Sequence, residues 1–167
     1  MNKVFFLDRD GVINKNAAEH DYVKTVDELE LLDGIGVAIA RIKNAGYKVI
    51  VISNQQGVGK GVMKAVDVDE IHAEINTRLK ANYVQIDAFY WCGHLINDKC
   101  VCRKPKPGLF EQAILEHEVD RNNSFFIGDR ESDKIAGELV GIKTILVESD
   151  SSIVQTVEEL LGYEKEE

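Results

Sequence analysis

Proline is nearly missing from this chain: there are two in 167 residues, and both, Pro105 and Pro107, fall in one short stretch. No linker and no repeat is visible. Cysteine is equally scarce, with Cys92, Cys100 and Cys102 as its only representatives. A disulfide framework would use an even number spread along the chain, so clustering beside a histidine points to metal instead. Long apolar runs are missing too. The first, Val4–Leu7, has four residues, too few for a signal-peptide core or a membrane span, and no later run is long enough. A cytoplasmic protein with no membrane partner is expected. Positive charge is in deficit, 20 Lys and Arg against 29 Asp and Glu, for a net charge of -9. Such a chain repels polyphosphate backbones at long range, which argues against nucleic acid as a partner. A small anion stays possible wherever a local cationic pocket outweighs the global sign. Disorder is excluded by 44% hydrophobic and 29% charged residues. The length suits one domain, residues 1–167, and would cramp two.

Strand-like and helix-like periods alternate along the chain. Val4-Phe5-Phe6-Leu7 and the run 48–52 read as strands buried on both faces; 85–91, 124–127 and 143–147 read as three more. Helical spacing appears at Ile35, Ala38, Ile39 and Ile42, then at Val68, Ile71, Ile75 and Leu79. It returns at Leu109, Phe110, Ala113 and Ile114, at Ile135, Ala136, Leu139 and Val140, and at Ile153, Val154, Val157, Leu160 and Leu161. Gly46 and Gly141 stand where helix C-caps belong. The expected fold is α/β: a doubly wound, mainly parallel sheet with helices on both faces. Two stretches interrupt the alternation, a hairpin or flap over residues 11–33 and a loop over 92–107. The tail, 164–167, is expected to fray.

Polar residues gather where strands end, which is where open α/β sheets bind ligands. They are Asp8-Arg9-Asp10-Gly11, Ser53-Asn54-Gln55, Arg103-Lys104-Pro105 and Gly128-Asp129-Arg130-Glu131-Ser132-Asp133. Singly, each is ordinary turn or cap chemistry. Together and in this order, carboxylates from two strands could share Mg²⁺, while a hydroxyl, an amide and a lysine hold a phosphate. In the loop, Cys92-x-His94-x₅-Cys100-x-Cys102 offers three thiolates and one imidazole, enough to close a tetrahedral, structural Zn²⁺ site. The alternative is three unrelated thiols near a surface histidine. His20, His72 and His117 have no ligand partner nearby in sequence and read as surface or internally satisfied residues. The run 57–61, Gly-Val-Gly-Lys-Gly, fails the P-loop pattern and reads as the opening of a helix lining the pocket.

The four strand-end motifs resemble those of the haloacid dehalogenase (HAD) superfamily phosphatases: D-x-D-G at Asp8–Gly11, S-N at Ser53-Asn54, Lys104, and G-D-x-x-x-D at 128–133. Leu7-Asp8-Arg9-Asp10-Gly11-Val12-Ile13-Asn14, Ser53-Asn54-Gln55-Gln56-Gly57 and Cys100-Val101-Cys102-Arg103-Lys104-Pro105 look like one branch, the D,D-heptose 1,7-bisphosphate phosphatases and histidinol-phosphate phosphatase domains. The resemblance implies Asp8 as nucleophile and Asp10 as general acid and base. It implies Mg²⁺ held by Asp8, Asp129 and the backbone carbonyl of Asp10, with Asp133 as a supporting acid. Ser53 and the Asn54 N–H would bind phosphate oxygens, Lys104 would neutralise them, and Gln55, Arg103 and Arg130 would contact substrate. The same branch lacks a large cap domain, in keeping with the small size here, and carries a Cys/His zinc site like the one at Cys92, His94, Cys100 and Cys102. The implied reaction removes the C7 phosphate of a heptose bisphosphate, with histidinol phosphate as the alternative substrate, in a monomeric enzyme. A phospho-acceptor receiver domain, a signalling module, would place its acceptor Asp after the third strand, where this chain has Cys92.

Overall fold

The first apolar run buries all four of its side chains, alternately on two sides of a sheet: Phe5 and Leu7 on one, Val4 and Phe6 on the other. The computed structural model describes residues 1–163, so the frayed tail expected at 164–167 lies outside the described residues. Strands β1 (Val4–Leu7), β2 (Lys48–Asn54), β3 (Ala88–Cys92), β4 (Phe125–Gly128) and β5 (Lys143–Leu146) form one sheet in the order β3-β2-β1-β4-β5. Every pairing is parallel. The helices are α1 (Ile35–Asn44), α2 (Gln56–Gly59), α3 (Ala65–Leu79), α4 (Gly108–His117), α5 (Glu131–Leu139) and α6 (Val154–Leu161). None of them is long and apolar enough to cross a membrane.

The expected doubly wound architecture is what forms. On one face, Phe5, Leu7, Val49 and Val51 pack with Ile35 and Ile39 of α1, Ile71 of α3 and Val157 of α6. On the other, Phe6, Ile50 and Ile52 pack with Phe110 of α4 and Ala136 of α5. Each such fully buried side chain contributes about 1.5–3 kcal/mol relative to exposure. α1 ends at Asn44, and Gly46 then takes φ +87°, a left-handed turn that lets the chain re-enter the sheet. Strand order reverses beside β1, which has β2 on one side and β4 on the other. The crevice at the carboxyl ends of β1 and β4 is therefore the topological switch point.

β2, β4 and β5 shift by one or two residues from the sequence reading, and two stretches differ more. β3 starts at Ala88, not Gln85. Residues before it are spent on anchoring: Asp87 accepts from the Val49 N–H at 2.8 Å and pairs with Lys43, while the Ile86 N–H donates to Asn76 at 2.8 Å. The flap is a hairpin only at its base, where Asn14 bridges Leu31 antiparallel and the Lys15 N–H donates to the Glu30 carbonyl. Between these legs the chain is irregular except for a 3₁₀ turn at Val26–Glu28. The glycine-rich run 57–61 becomes the short helix α2 and the turn after it.

Candidate active site

The strand-end groups converge. Asp8 follows β1 directly, with 11% of its side chain exposed, and its N–H still belongs to the sheet, donating to the Ile127 carbonyl at 3.1 Å. Lys104 reaches in from the loop after β3. Its Nζ donates to Asp8 Oδ1 at 2.9 Å and to the Ile52 carbonyl at 2.7 Å, and pairs with Asp133 Oδ1 at 2.7 Å. Asp133 Oδ2 accepts from the N–H groups of Asp129 and Arg130 at 3.1 and 3.2 Å, capping α5. Both oxygens of Asp133 are thus committed to the protein.

Carboxylate oxygens of Asp8, Asp129 and Asp133 lie within 4.8 Å of one another. Burial, with Asp133 and Asp129 close by, pushes the Asp8 carboxyl well above its ordinary range, against the pull of Lys104. Burial alone would lower Lys104, but Asp8 and Asp133 outweigh it and hold the ammonium charged. Asp129 accepts from Ser149 through Oδ2, while its Oδ1 is buried without a partner. An orphaned buried carboxylate oxygen is costly unless a cation completes it. An oxygen-only donor set with that gap fits one hard divalent ion between Asp8 and Asp129. Gly11, at φ +88°, is required here, because a Cβ would collide with Asp129 and Ser149.

Asp10 faces the cleft with 27% of its side chain exposed. Its Oδ1 accepts from Arg9 Nε and Nη2 at 3.3 and 3.0 Å and from Asn14 Nδ2 at 2.9 Å. Oδ2 accepts from Gln55 Nε2 at 2.9 Å. Burial raises the Asp10 carboxyl, but Arg9, Asn14 and Gln55 together carry it below the usual value, so it rests ionised. The Gln55 amide also donates to Ser53 Oγ at 2.7 Å; Gln55 is an internal link as well as a lining residue. Asn54 turns its side chain to the lysine loop. Nδ2 donates to the Lys104 carbonyl at 3.1 Å, and Oδ1 accepts from the Lys104 N–H at 3.0 Å.

Above these groups lies a cavity of about 680 Å³. The flap residues 16–23 form one wall, and Ile96, Arg103 and Arg130 stand on the other sides. Arg103 is half-buried, and its Nη1 is shut away from solvent without a partner. Burial holds the Arg103 guanidinium below its ordinary value, and Arg130 adds to this by repulsion, so the two cations share one region.

The cysteine loop brings its four expected residues together: donor atoms of Cys92, His94, Cys100 and Cys102 all lie within 4.8 Å of one another. His94 Nδ1 is 3.3 Å from Cys92 Sγ and 3.1 Å from Cys102 Sγ. The structure joins Cys92 to Cys102 as a disulfide and leaves Cys100 free, where the spacing had suggested three thiolates on one ion. With that bond open, three sulfurs and one imidazole nitrogen are the donor set of a closed zinc site. Burial raises the Cys100 thiol, but the Arg103 and Cys102 N–H groups and Lys106 outweigh it and favour the thiolate.

Sequence reading missed three contributors. His72 is buried against Arg9, Asn14 holds Asp10, and Ser149 holds Asp129. Only Asn14 carried a signal, as the last residue of the stretch Leu7–Asn14 that resembles the family branch. His20 is exposed, and His117 contacts Tyr90, as ordinary surface or satisfied histidines do.

A parallel sheet with aspartates after β1 and β4, and a lysine bridging them, defines a HAD-like hydrolase. The HAD-hydrolase-like family model matches residues 101–165. D-glycero-β-D-manno-heptose-1,7-bisphosphate 7-phosphatase of Pasteurella multocida is 34% identical over 98% of this chain and 91% of its own. The enzyme of the same name from Helicobacter pylori strain J99 is 37% identical over 87% of this chain and 83% of its own. Among solved structures, D,D-heptose 1,7-bisphosphate phosphatase from B. bronchiseptica, complexed with magnesium and phosphate, superposes with a TM-score of 0.83. It is 30% identical, covering 94% of this chain and 86% of that one. The Burkholderia thailandensis enzyme gives 0.65 at 27% identity, covering 98% and 88%. The chain belongs to the HAD-like phosphatases, in the branch of the D,D-heptose 1,7-bisphosphate 7-phosphatases.

Proposed function

We propose that this phosphatase removes the C7 phosphate of D-glycero-D-manno-heptose 1,7-bisphosphate through an aspartyl-phosphate on Asp8. The observation that carries the reading is Asp8 itself, held between the Lys104 ammonium and the unpaired Asp129 oxygen. A carboxylate cannot approach a dianionic phosphate unless nearby cations offset the repulsion. Asp8 and Asp129, with the Asp10 carbonyl, would hold Mg²⁺, which when bound would neutralise charge on Asp8 and on the transferring phosphoryl group. Ser53 and the Asn54 N–H would receive phosphate oxygens, and Lys104 would balance their charge.

In the first half-reaction a bond forms between Asp8 and phosphorus as the bond to the C7 oxygen breaks, and Asp10 gives its proton to that oxygen. Asp10 rests ionised, so the negative charge of the arriving substrate must first raise it enough to hold a proton. In the second half-reaction Asp10 takes a proton from water as water displaces Asp8, releasing inorganic phosphate. The second phosphate would rest on the rim of the cavity, which Arg103 and Arg130 both line. Cys92, His94, Cys100 and Cys102 would hold Zn²⁺ and set the loop that presents Arg103 and Lys104. The whole chain would act as one domain and as a monomer.

The test is a substrate panel with Mg²⁺: both heptose bisphosphate anomers, histidinol phosphate, fructose 1,6-bisphosphate and p-nitrophenyl phosphate. The highest kcat/KM is expected for a heptose bisphosphate, with phosphate released from C7. A preference for histidinol phosphate, or release from C1, overturns the assignment.

A further inference from the structure

Arg9 is the largest fully buried side chain among the described residues, at 0% exposure, and the proposed chemistry gives it no role. Its fork grips Asp10 Oδ1 through Nε and Nη2. Its remaining arm, Nη1, lies 3.2 Å from His72 Nε2, on α3, 63 residues away. A guanidinium only donates, so Nε2 must accept, and the ring proton belongs on Nδ1. His72 is 5% exposed and lies flat on Phe89, ring centroids 4.3 Å apart at 13°. Burial and the Arg9 charge lower the His72 pKa to about 3, so near neutral pH the imidazole is uncharged.

This support makes the two oxygens of Asp10 unequal. Oδ1 meets three donor atoms, Arg9 Nε, Arg9 Nη2 and Asn14 Nδ2. Oδ2 meets one, Gln55 Nε2, whose amide also carries a carbonyl that can accept if it turns over. A proton on Oδ1 would point into a wall of N–H groups; on Oδ2 it faces an adaptable amide and the cleft.

We propose that His72 is a positioning residue: by accepting from Arg9 it locks Oδ1 of Asp10 and leaves Oδ2 as the oxygen that exchanges protons with the leaving group and with water. The inference rests on the reading of Asp10 as general acid and base. Without the acceptor, Arg9 Nη1 is buried unpaired, the fork loses its anchor, and Asp10 can turn away.

Two variants and two esters test it. His72→Phe keeps a flat ring against Phe89 but cannot accept; His72→Gln returns an acceptor near the Nε2 position. The sugar alkoxide needs a proton to leave, whereas p-nitrophenolate does not. With heptose bisphosphate, His72→Phe should slow the first turnover about 10- to 100-fold, part of the 10²–10⁴ available to general acid–base catalysis. With p-nitrophenyl phosphate, nitrophenolate release in the first turnover should stay within about 3-fold of wild type, because only the acid step is spared. The steady state then slows, since water still needs its base, and a burst appears. KM should change little, and His72→Gln should restore both rates and erase the burst.

Equal losses on both esters without a burst, no loss on either, or a His72→Gln variant as slow as His72→Phe would each overturn the proposal. Asp10→Asn is the control for the underlying reading and should show the same split more severely. If Asp10→Asn slows the first turnover of both esters alike, the role of Asp10 falls; if Asp10→Asn splits them and His72→Phe does not, only the inference falls. Should His72→Phe fail to fold, nitrogen NMR of the wild-type protein decides: a neutral Nδ1–H ring with Nε2 accepting is expected, and an Nε2–H ring refutes it.

Discussion

Replacing Lys104 by methionine removes one buried charge and leaves two carboxylates behind. Nζ lies 2.9 Å from Asp8 and 2.7 Å from Asp133, and Lys104 and Asp133 are 3% and 1% exposed. Removing one partner of a buried pair costs about 3–5 kcal/mol, out of a total stability of about 5–15 kcal/mol. Two features hold the cost near the lower end. Asp133 keeps the N–H groups of Asp129 and Arg130. Asp8 is already pushed toward its neutral form, with Lys104 the group opposing this, so it can take up a proton. A loss of about 3 kcal/mol in a chain of this length lowers Tm by about 6–12 °C. The loss should depend on pH. With its pKa raised on folding, Asp8 binds a proton that the unfolded chain has released. The stability this group supplies is therefore full below the ordinary carboxylate value of 3.8 and is lost as pH rises through the folded value. Lys104→Met lifts that folded value further, so its deficit should widen as pH rises toward neutrality. Urea unfolding at a series of pH values, without divalent cation, measures it. Adding Asp133→Asn should recover part of the stability and none of the activity. A variant within about 0.5 kcal/mol of wild type at neutral pH, the size of an ordinary surface change, would refute the reasoning, as would a deficit that shrinks as pH rises.

Asp8→Asn should lose at least about 10³-fold in turnover with the fold intact, because an amide cannot form the aspartyl phosphate; circular dichroism and single-turnover kinetics check both halves. Arg103→Ala and Arg130→Ala should each slow heptose bisphosphate turnover by roughly one to two orders of magnitude, with p-nitrophenyl phosphate much less affected, as expected for charge-assisted contacts to a second phosphate. Equal losses on both would place the arginines with the catalytic centre. Protein purified under reducing conditions without chelator should contain about one zinc per chain; mild EDTA should stop activity and Mg²⁺ restore it with zinc retained. Cys100→Ser with Cys102→Ser should lose the zinc and melt lower.

Three of the four polar segments were legible because each is a short run directly after a buried apolar strand, and a parallel sheet leaves such runs only one place to meet; the fourth, Arg103-Lys104-Pro105, lies past the cysteine loop after β3 and was legible from its order among them. Most helices were legible from apolar residues at helical spacing; α2 was not separated from the helix after it, and in α5 two of the residues read that way, Ile135 and Leu139, are exposed. What could not be read was how side chains are shared. Arg9 sits at the unspecified middle position of D-x-D; only the fold brings it to His72, and a lone histidine mid-helix carries no signal of its partner. Asn54 reads as a phosphate ligand by its backbone, yet its side chain holds the Lys104 backbone. Ser149 follows β5 as an unremarked hydroxyl, and its contact with Asp129 depends on the last loop folding back over Gly11. The late start of β3 has a similar origin: the Asp87 N–H donates to the Val49 carbonyl, but the Val49 N–H is taken by the Asp87 carboxylate, which also pairs with Lys43.

The paired hydrogen bonds between the Asn54 side chain and the Lys104 backbone resemble a base pair: donor and acceptor on one side meet acceptor and donor on the other. They register the lysine to β2 from a loop that leaves the sheet at Cys92 and rejoins regular structure only at Gly108. The span between His94 and Cys100 therefore lies outside the path that sets the lysine's position. That span carries Ile96, which lines the cavity, so its length and composition can vary while Lys104 stays in register with the strand. One part of the cavity wall and the position of Lys104 are thus set by separate stretches of one loop.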